Sequence, residues 1–184
     1  METSKKIKGL LLVAITAMLS LTANAQDKPD APAAENYDQG WRLGFGLNGG
    51  VMTDDLYDWS LGADVRLQYD FNRRISVTMT TGFTNLFIGD DVKDLGFIPV
   101  KGGFKVFWWE DQFYVLAEAG AAIPVTNDYS DTVDTSLLLS PGIGWANKYV
   151  DLSLRYEHYS AFPTSDGDKG VGQVALRLAY GFRL

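Results

Sequence analysis

The chain contains no cysteine, so neither disulfides nor thiolate metal sites can hold it together, and its stability must come from hydrogen bonding and packing. Positive charge is also scarce: 16 basic residues face 23 acidic ones, a net charge of −7. Residues 1–25 hold three of those basic residues and one of the acidic ones, so the remainder carries −9. Such an acidic chain is a poor match for a phosphate backbone, which excludes nucleic acid as a partner. No stretch reaches the roughly 20 apolar residues that a membrane-crossing helix needs. Histidine occurs once, at His158, and nothing in the composition calls for a cofactor.

What is present begins with an export signal. Lys5, Lys6 and Lys8 precede an apolar run from Gly9 to Leu21, and Ala23-Asn24-Ala25 supplies a small-x-small cleavage site before Gln26. Residues 1–25 are therefore expected to be removed. Export without a helical anchor leaves two destinations, a soluble compartment beyond the inner membrane or a barrel in the outer membrane. Residues 26–40 are rich in proline, alanine and acids without periodicity, which predicts a flexible leader.

Residues 41–184 then alternate with period two, the signature of strands with two different faces. Trp59, Leu61, Ala63, Val65, Leu67 and Tyr69 oppose Ser60, Gly62, Asp64, Arg66, Gln68 and Asp70. Similar runs begin at Trp41, Ile75, Ile98, Phe113, Thr135, Val150 and Val174. In the last of these Val174, Leu176, Leu178, Tyr180, Phe182 and Leu184 oppose Gln173, Arg177 and Arg183. Eight strands of about ten residues are the length that crosses a bilayer when tilted. The connections alternate long and short, with tight turns near Asp70–Arg74, Glu110–Asp111 and Asn147–Lys148. The expected fold is all-β: an eight-stranded antiparallel up-and-down transmembrane barrel with lipid outside and a polar interior. The soluble rival is a lipocalin-like barrel, whose apolar face would point inward instead.

The signal segment, the eight alternating strands and the aromatic-rich terminal stretch LRLAYGFRL resemble the small OmpA/OmpX-type outer-membrane β-barrels, over essentially all of residues 41–184. The resemblance implies residence in the bacterial outer membrane, short turns in the periplasm and four longer loops outside. It also implies contact with outer-membrane lipid and lipopolysaccharide, a monomeric barrel, and surface ligands met through the loops.

Three groups of residues could carry function. Arg42, Asp64, Arg66, Asp70, Lys101, Lys105, Glu118, Asp151, Arg155, Glu157, Arg177 and Arg183 share the inward parity. An eight-stranded barrel is only wide enough for side chains to fill it, so these charges are expected to pair rather than to line a conducting channel, the alternative. The loops carry Asp54, Asp55, Asp58, Asp90, Asp91, Asp94, Asp128, Asp131, Asp134, Asp166 and Asp168, which could meet divalent cations or remain solvated.

The third group is His158-Tyr159-Ser160. His158 and Ser160 fall on one face, toward lipid, and resemble the His-x-Ser motif of outer-membrane lipid A deacylases. That resemblance implies a histidine base and a serine nucleophile. Ala161 follows where that family usually has asparagine, and no later glutamate could orient the base. The non-catalytic reading makes His158 an interfacial residue in an aromatic belt with Tyr156, Tyr159 and Phe162. Trp41, Trp59, Trp108, Trp109 and Trp145 read as belt or wall residues.

Overall fold

Alternating sequence produces a wall whose two faces have opposite character. The computed structural model describes residues 39–88, 94–108, 112–126 and 134–184. Its strands are β1 (Gly40–Met52), β2 (Tyr57–Asp70), β3 (Ile75–Ile88), β4 (Leu95–Trp108), β5 (Phe113–Pro124), β6 (Ser136–Ala146), β7 (Val150–Pro163) and β8 (Lys169–Arg183). Each pairs antiparallel with the next, and β8 returns to β1 to close the barrel. Closure gives every strand two partners and leaves no sheet edge, the condition for β-structure in hydrocarbon. Residues 1–38, with the expected signal and most of the leader, lie outside the described residues, as do Trp109 and the turn acids Glu110 and Asp111.

The outer face is apolar. Leu47 is 67% exposed and Met79 62%, whereas Arg66 and Lys105, on the opposite face, are 3% and 1% exposed. A soluble monomer does not display an unbroken apolar belt around its circumference, and the inverted arrangement of a lipocalin is ruled out. Aromatic side chains gather at both rims of this belt. Trp41, Phe71, Trp108, Phe113, Tyr149 and Tyr180 stand exposed at the end that carries the C-terminus. At the far end Trp59 stacks on Phe87 with centroids 4.0 Å apart. Such girdles mark the two membrane interfaces of a transmembrane barrel.

Turn chemistry sets the hairpins at the terminal end. The Asn72 carboxamide oxygen accepts the backbone N–H groups of Arg74 and Ile75 at 2.8 and 2.9 Å. That of Asn147 accepts those of Tyr149 and Val150 at 2.9 and 2.7 Å. Asparagine tightens these turns by standing in for a backbone acceptor.

The strands run longer than the expected ten residues, from 11 in β6 to 15 in β8. Two connections read as long are correspondingly short, residues 53–56 and 164–168. Pairing continues past the membrane rim because the chain ends of these hairpins hold each other: Thr53 N–H donates to the Gly172 carbonyl at 2.8 Å. Asp54 joins the two connections, accepting from Leu56 N–H and Ser165 N–H at 3.0 Å each. Gly167 turns the second connection at φ 83°, a conformation that glycine adopts without penalty.

Candidate functional site: a filled lumen

The inward parity of the charged residues delivers them into one network to which all eight strands contribute. Glu118 of β5 accepts from Arg66 Nη2 at 2.9 Å and from Thr80 Oγ1 at 2.9 Å. Its other oxygen lies 3.6 Å from Lys101 and 3.5 Å from Arg155. Glu157 of β7 accepts from Lys101 Nζ at 2.6 Å, Gln173 Nε2 at 2.6 Å, Tyr159 Oη at 2.8 Å and Ser140 Oγ at 3.3 Å. Asp64 of β2 is gripped by Arg177 through Nε at 2.9 Å and Nη2 at 2.5 Å, and accepts from Asn48 at 3.1 Å.

Nearer the terminal end, Asp151 pairs with Lys105 and accepts from Tyr114 Oη at 2.6 Å. Asp70 accepts from Arg42 Nε, Gln68 Nε2 and Ser76 Oγ, each at 2.6 Å. Every one of these five carboxylates therefore meets at least one cation and one neutral donor. That pattern compensates the several kcal/mol that desolvating an unpaired ion would cost. Room for the long cations comes from small inward residues: a Cβ built on Gly46 would lie 2.8 Å from the Arg177 guanidinium. Arg183, given the same inward parity, is exposed at the rim and donates to the Gln39 carbonyl at 2.9 Å.

The hydroxyls and amides of this network were not evident from charge. Thr78, Thr80, Ser76, Tyr114 and Tyr159 share parity with the acids they serve, and that shared face is the signal that could have found them.

A second feature escaped the sequence reading altogether. At the far end the interior is apolar: Tyr57, Leu86, Leu95, Phe97, Leu138, Tyr159, Phe162 and Val171 pack into one buried cluster. Leu138, whose position blurs the alternation of β6, belongs here. Tyr159 and Phe162, expected in the lipid belt, are instead 0% exposed inside the barrel and stack at 5.0 Å with planes 6° apart. Tyr159 has the inward parity of Glu157. Phe162 has the opposite parity and reaches the interior because the β7–β8 register shifts between Tyr159 and Pro163, as a bulge re-aims the side chains that follow it.

His158 and Ser160 both stand on the outer face of β7, His158 half-buried and Ser160 exposed. Among the described residues no hydrogen bond joins them and no carboxylate backs the imidazole. The ring lies instead beside Gly170, where a Cβ would sit 3.6 Å from its Cε1. A nucleophile needs its base within hydrogen-bond reach, so the deacylase resemblance finds no support in this geometry. Of the loop aspartates, Asp94 accepts from Asn85 Nδ2 and Ile88 N–H at 3.0 and 3.2 Å, and Asp134 lies 3.4 Å from Lys169. Asp90, Asp91, Asp128 and Asp131 lie outside the described residues. No metal-holding group of three or more carboxylates or histidines forms among the described residues.

No protein-family model matches the chain, and no curated protein matches it in sequence. Solved structures do. Ail, the attachment invasion locus protein of Yersinia pestis, is 18% identical with a TM-score of 0.52, over 79% of this chain and 100% of that one. A second structure of Ail, in complex with the heparin analogue sucrose octasulfate, gives 0.54 with the same identity and coverage. The N-terminal β-barrel domain of Pseudomonas aeruginosa OprF is 12% identical with a TM-score of 0.55, over 79% of this chain and 100% of that one. A de novo designed transmembrane β-barrel is 15% identical with a TM-score of 0.50, over 79% of this chain and 98% of that one. Identities this low establish the fold and leave function to the residues. In fold, the chain is a small eight-stranded antiparallel transmembrane β-barrel, the fold of these outer-membrane proteins.

Proposed function

We propose that this barrel sits in the bacterial outer membrane with its termini in the periplasm and acts at the cell surface by binding, without catalysis or conduction. One observation carries the reading: the lumen is filled by paired charges along its middle and by apolar side chains at its far end. With the interior committed to holding the wall, the outer connections are what remains to meet other molecules.

Those connections have a marked sign. Together with the strand ends that flank them, they carry eleven aspartates against Lys93 and Lys169. Ail has been seen with a polyanion, sucrose octasulfate. The loops of this chain have the opposite preference by charge: basic protein surfaces, or divalent cations that bridge to lipopolysaccharide phosphates.

The test uses the full barrel in lipid nanodiscs, with polylysine and a heparin fragment as opposed probes. Polylysine is expected to bind with an affinity that falls about tenfold or more at raised salt. A variant with Asp55, Asp58, Asp166 and Asp168 changed to Asn should lose most of that binding, and Asp54 is left intact because it holds its own turn. Heparin binding equal to that of polylysine, or indifference to the four substitutions, would refute the charge assignment. Release of fatty acid from lipid A, abolished by Ser160→Ala, would refute the non-catalytic reading.

A further inference from the structure

We propose that the periplasm-facing mouth of the lumen is a binding site for a compact oxyanion, a phosphate or sulfate group. This goes beyond the surface role and shares with it only the orientation of the barrel.

A cavity of about 60 Å³ lies inside the terminal end, beside the 147–149 turn. Its wall holds Arg42, Arg66, Lys105, Lys148 and Arg177, and the one acid among its lining residues is Asp151. The carboxylates that pair with three of these cations, Asp70, Glu118 and Asp64, are not part of the wall. The lining thus presents five cations to one acid, with the carboxylate partners of Arg42, Arg66 and Arg177 outside it, although the chain as a whole carries −7. Cations gathered around a confined, low-dielectric space attract a counter-charge more strongly than the same residues would on an open surface.

A second, independent observation points the same way. Arg66 is 3% exposed and spends Nη2 on Glu118 and Nε on Thr80. Its Nη1 has no hydrogen-bond partner and lies 4.0 Å from Asp151 Oδ2, too far for a hydrogen bond. A buried guanidinium donor without an acceptor is costly, and a slight turn of the guanidinium toward the adjoining cavity would bring Nη1 to an oxyanion there. Size agrees: at roughly 10–15 Å³ per water-sized group the space admits about four to six such groups, and a phosphate has five heavy atoms. Lys148, exposed on the turn at the mouth, would meet an anion as it enters.

The experiment titrates the full barrel, in a phosphate-free maltoside detergent, with inorganic phosphate against chloride at constant ionic strength. Calorimetry and backbone amide shifts are the readouts. One saturable site per barrel is expected, with shifts at Gln68, Lys105, Asp151 and Arg177 and none at residues 53–56 or 164–168. Arg66→Gln should weaken phosphate binding about tenfold, the loss of one charge-assisted hydrogen bond. Asp151→Asn should tighten it, because the repelling carboxylate leaves the wall; a gain of affinity also requires a folded site. Should Arg66→Gln fail to fold, Lys148→Ala on the exposed turn should still weaken binding several-fold. Shifts that never saturate, equal effects of chloride, or affinities unmoved by these substitutions would overturn the proposal. Nanodiscs then identify the source of the anion. Reduced phosphate affinity in phosphatidylglycerol discs, relative to discs of uncharged glycolipid, assigns the site to a lipid headgroup, and unchanged affinity assigns it to a free oxyanion.

Discussion

Arg177 and Asp64 form the best-defined pair in the lumen, with two guanidinium nitrogens on one carboxylate and both side chains almost wholly buried. Removing one member leaves the other desolvated and alone, so Asp64→Ala should destabilise the barrel by about 3–5 kcal/mol. The double variant Asp64→Ala with Arg177→Met should recover much of that loss, since neither buried charge remains. Denaturant unfolding in detergent or lipid vesicles measures both, and additive losses in the double variant would show that the two residues do not act as a pair. That both would point inward was legible from parity alone. Which acid each cation would choose was not, because Arg177 of β8 and Asp64 of β2 lie 113 positions apart and meet across β1.

At the scale of the strand, β1 shows how strictly alternation is enforced. Leu47 stands on the lipid face, paired with Ala63 and Leu178 in the two adjoining ladders. Near the bilayer midplane Leu47→Arg should cost about 2–4 kcal/mol, read from the same unfolding curves. A cost no greater than that of Leu47→Met would contradict the outward assignment. Strand β7 shows where alternation stops being enough. Its first ten residues follow the pattern, and then the register shift after Tyr159 turns Phe162 inward. Strand β6 keeps its register with β7 but loses ladder pairing at Ser140 and Pro141, between Leu139–His158 and Gly142–Arg155, consistent with Pro141 having no N–H to donate. Local sequence announces the proline; it does not announce where a bulge will move a side chain.

For the whole molecule, the filled interior has a direct electrical consequence. A water path would have to pass both the apolar cluster around Phe97, Leu138 and Phe162 and the ion-pair network beneath it. Planar-bilayer recordings of the folded barrel should therefore show no steady ohmic conductance, and a stable open level would reject the non-conducting reading. The cluster also explains why an interior expected to be uniformly polar is not. At the end away from the termini the strands extend beyond the polar middle, and side chains that close a barrel there are held by packing instead of by ion pairs.

The sequence by itself determined the class of fold, the number of strands, the lipid-facing side of each and the inward set of charges. All of these follow from period-two alternation and composition, which are local properties. Only the tertiary structure decided the pairing within the lumen, the apolar cluster at its far end, the inward turn of Phe162, the lack of a hydrogen bond between His158 and Ser160 and the gathering of basic side chains around the cavity at the terminal end. Each of these depends on contacts between strands far apart in the chain, or on the register shift near the end of β7. A period-two pattern carries the face of each residue but not its partner across the barrel.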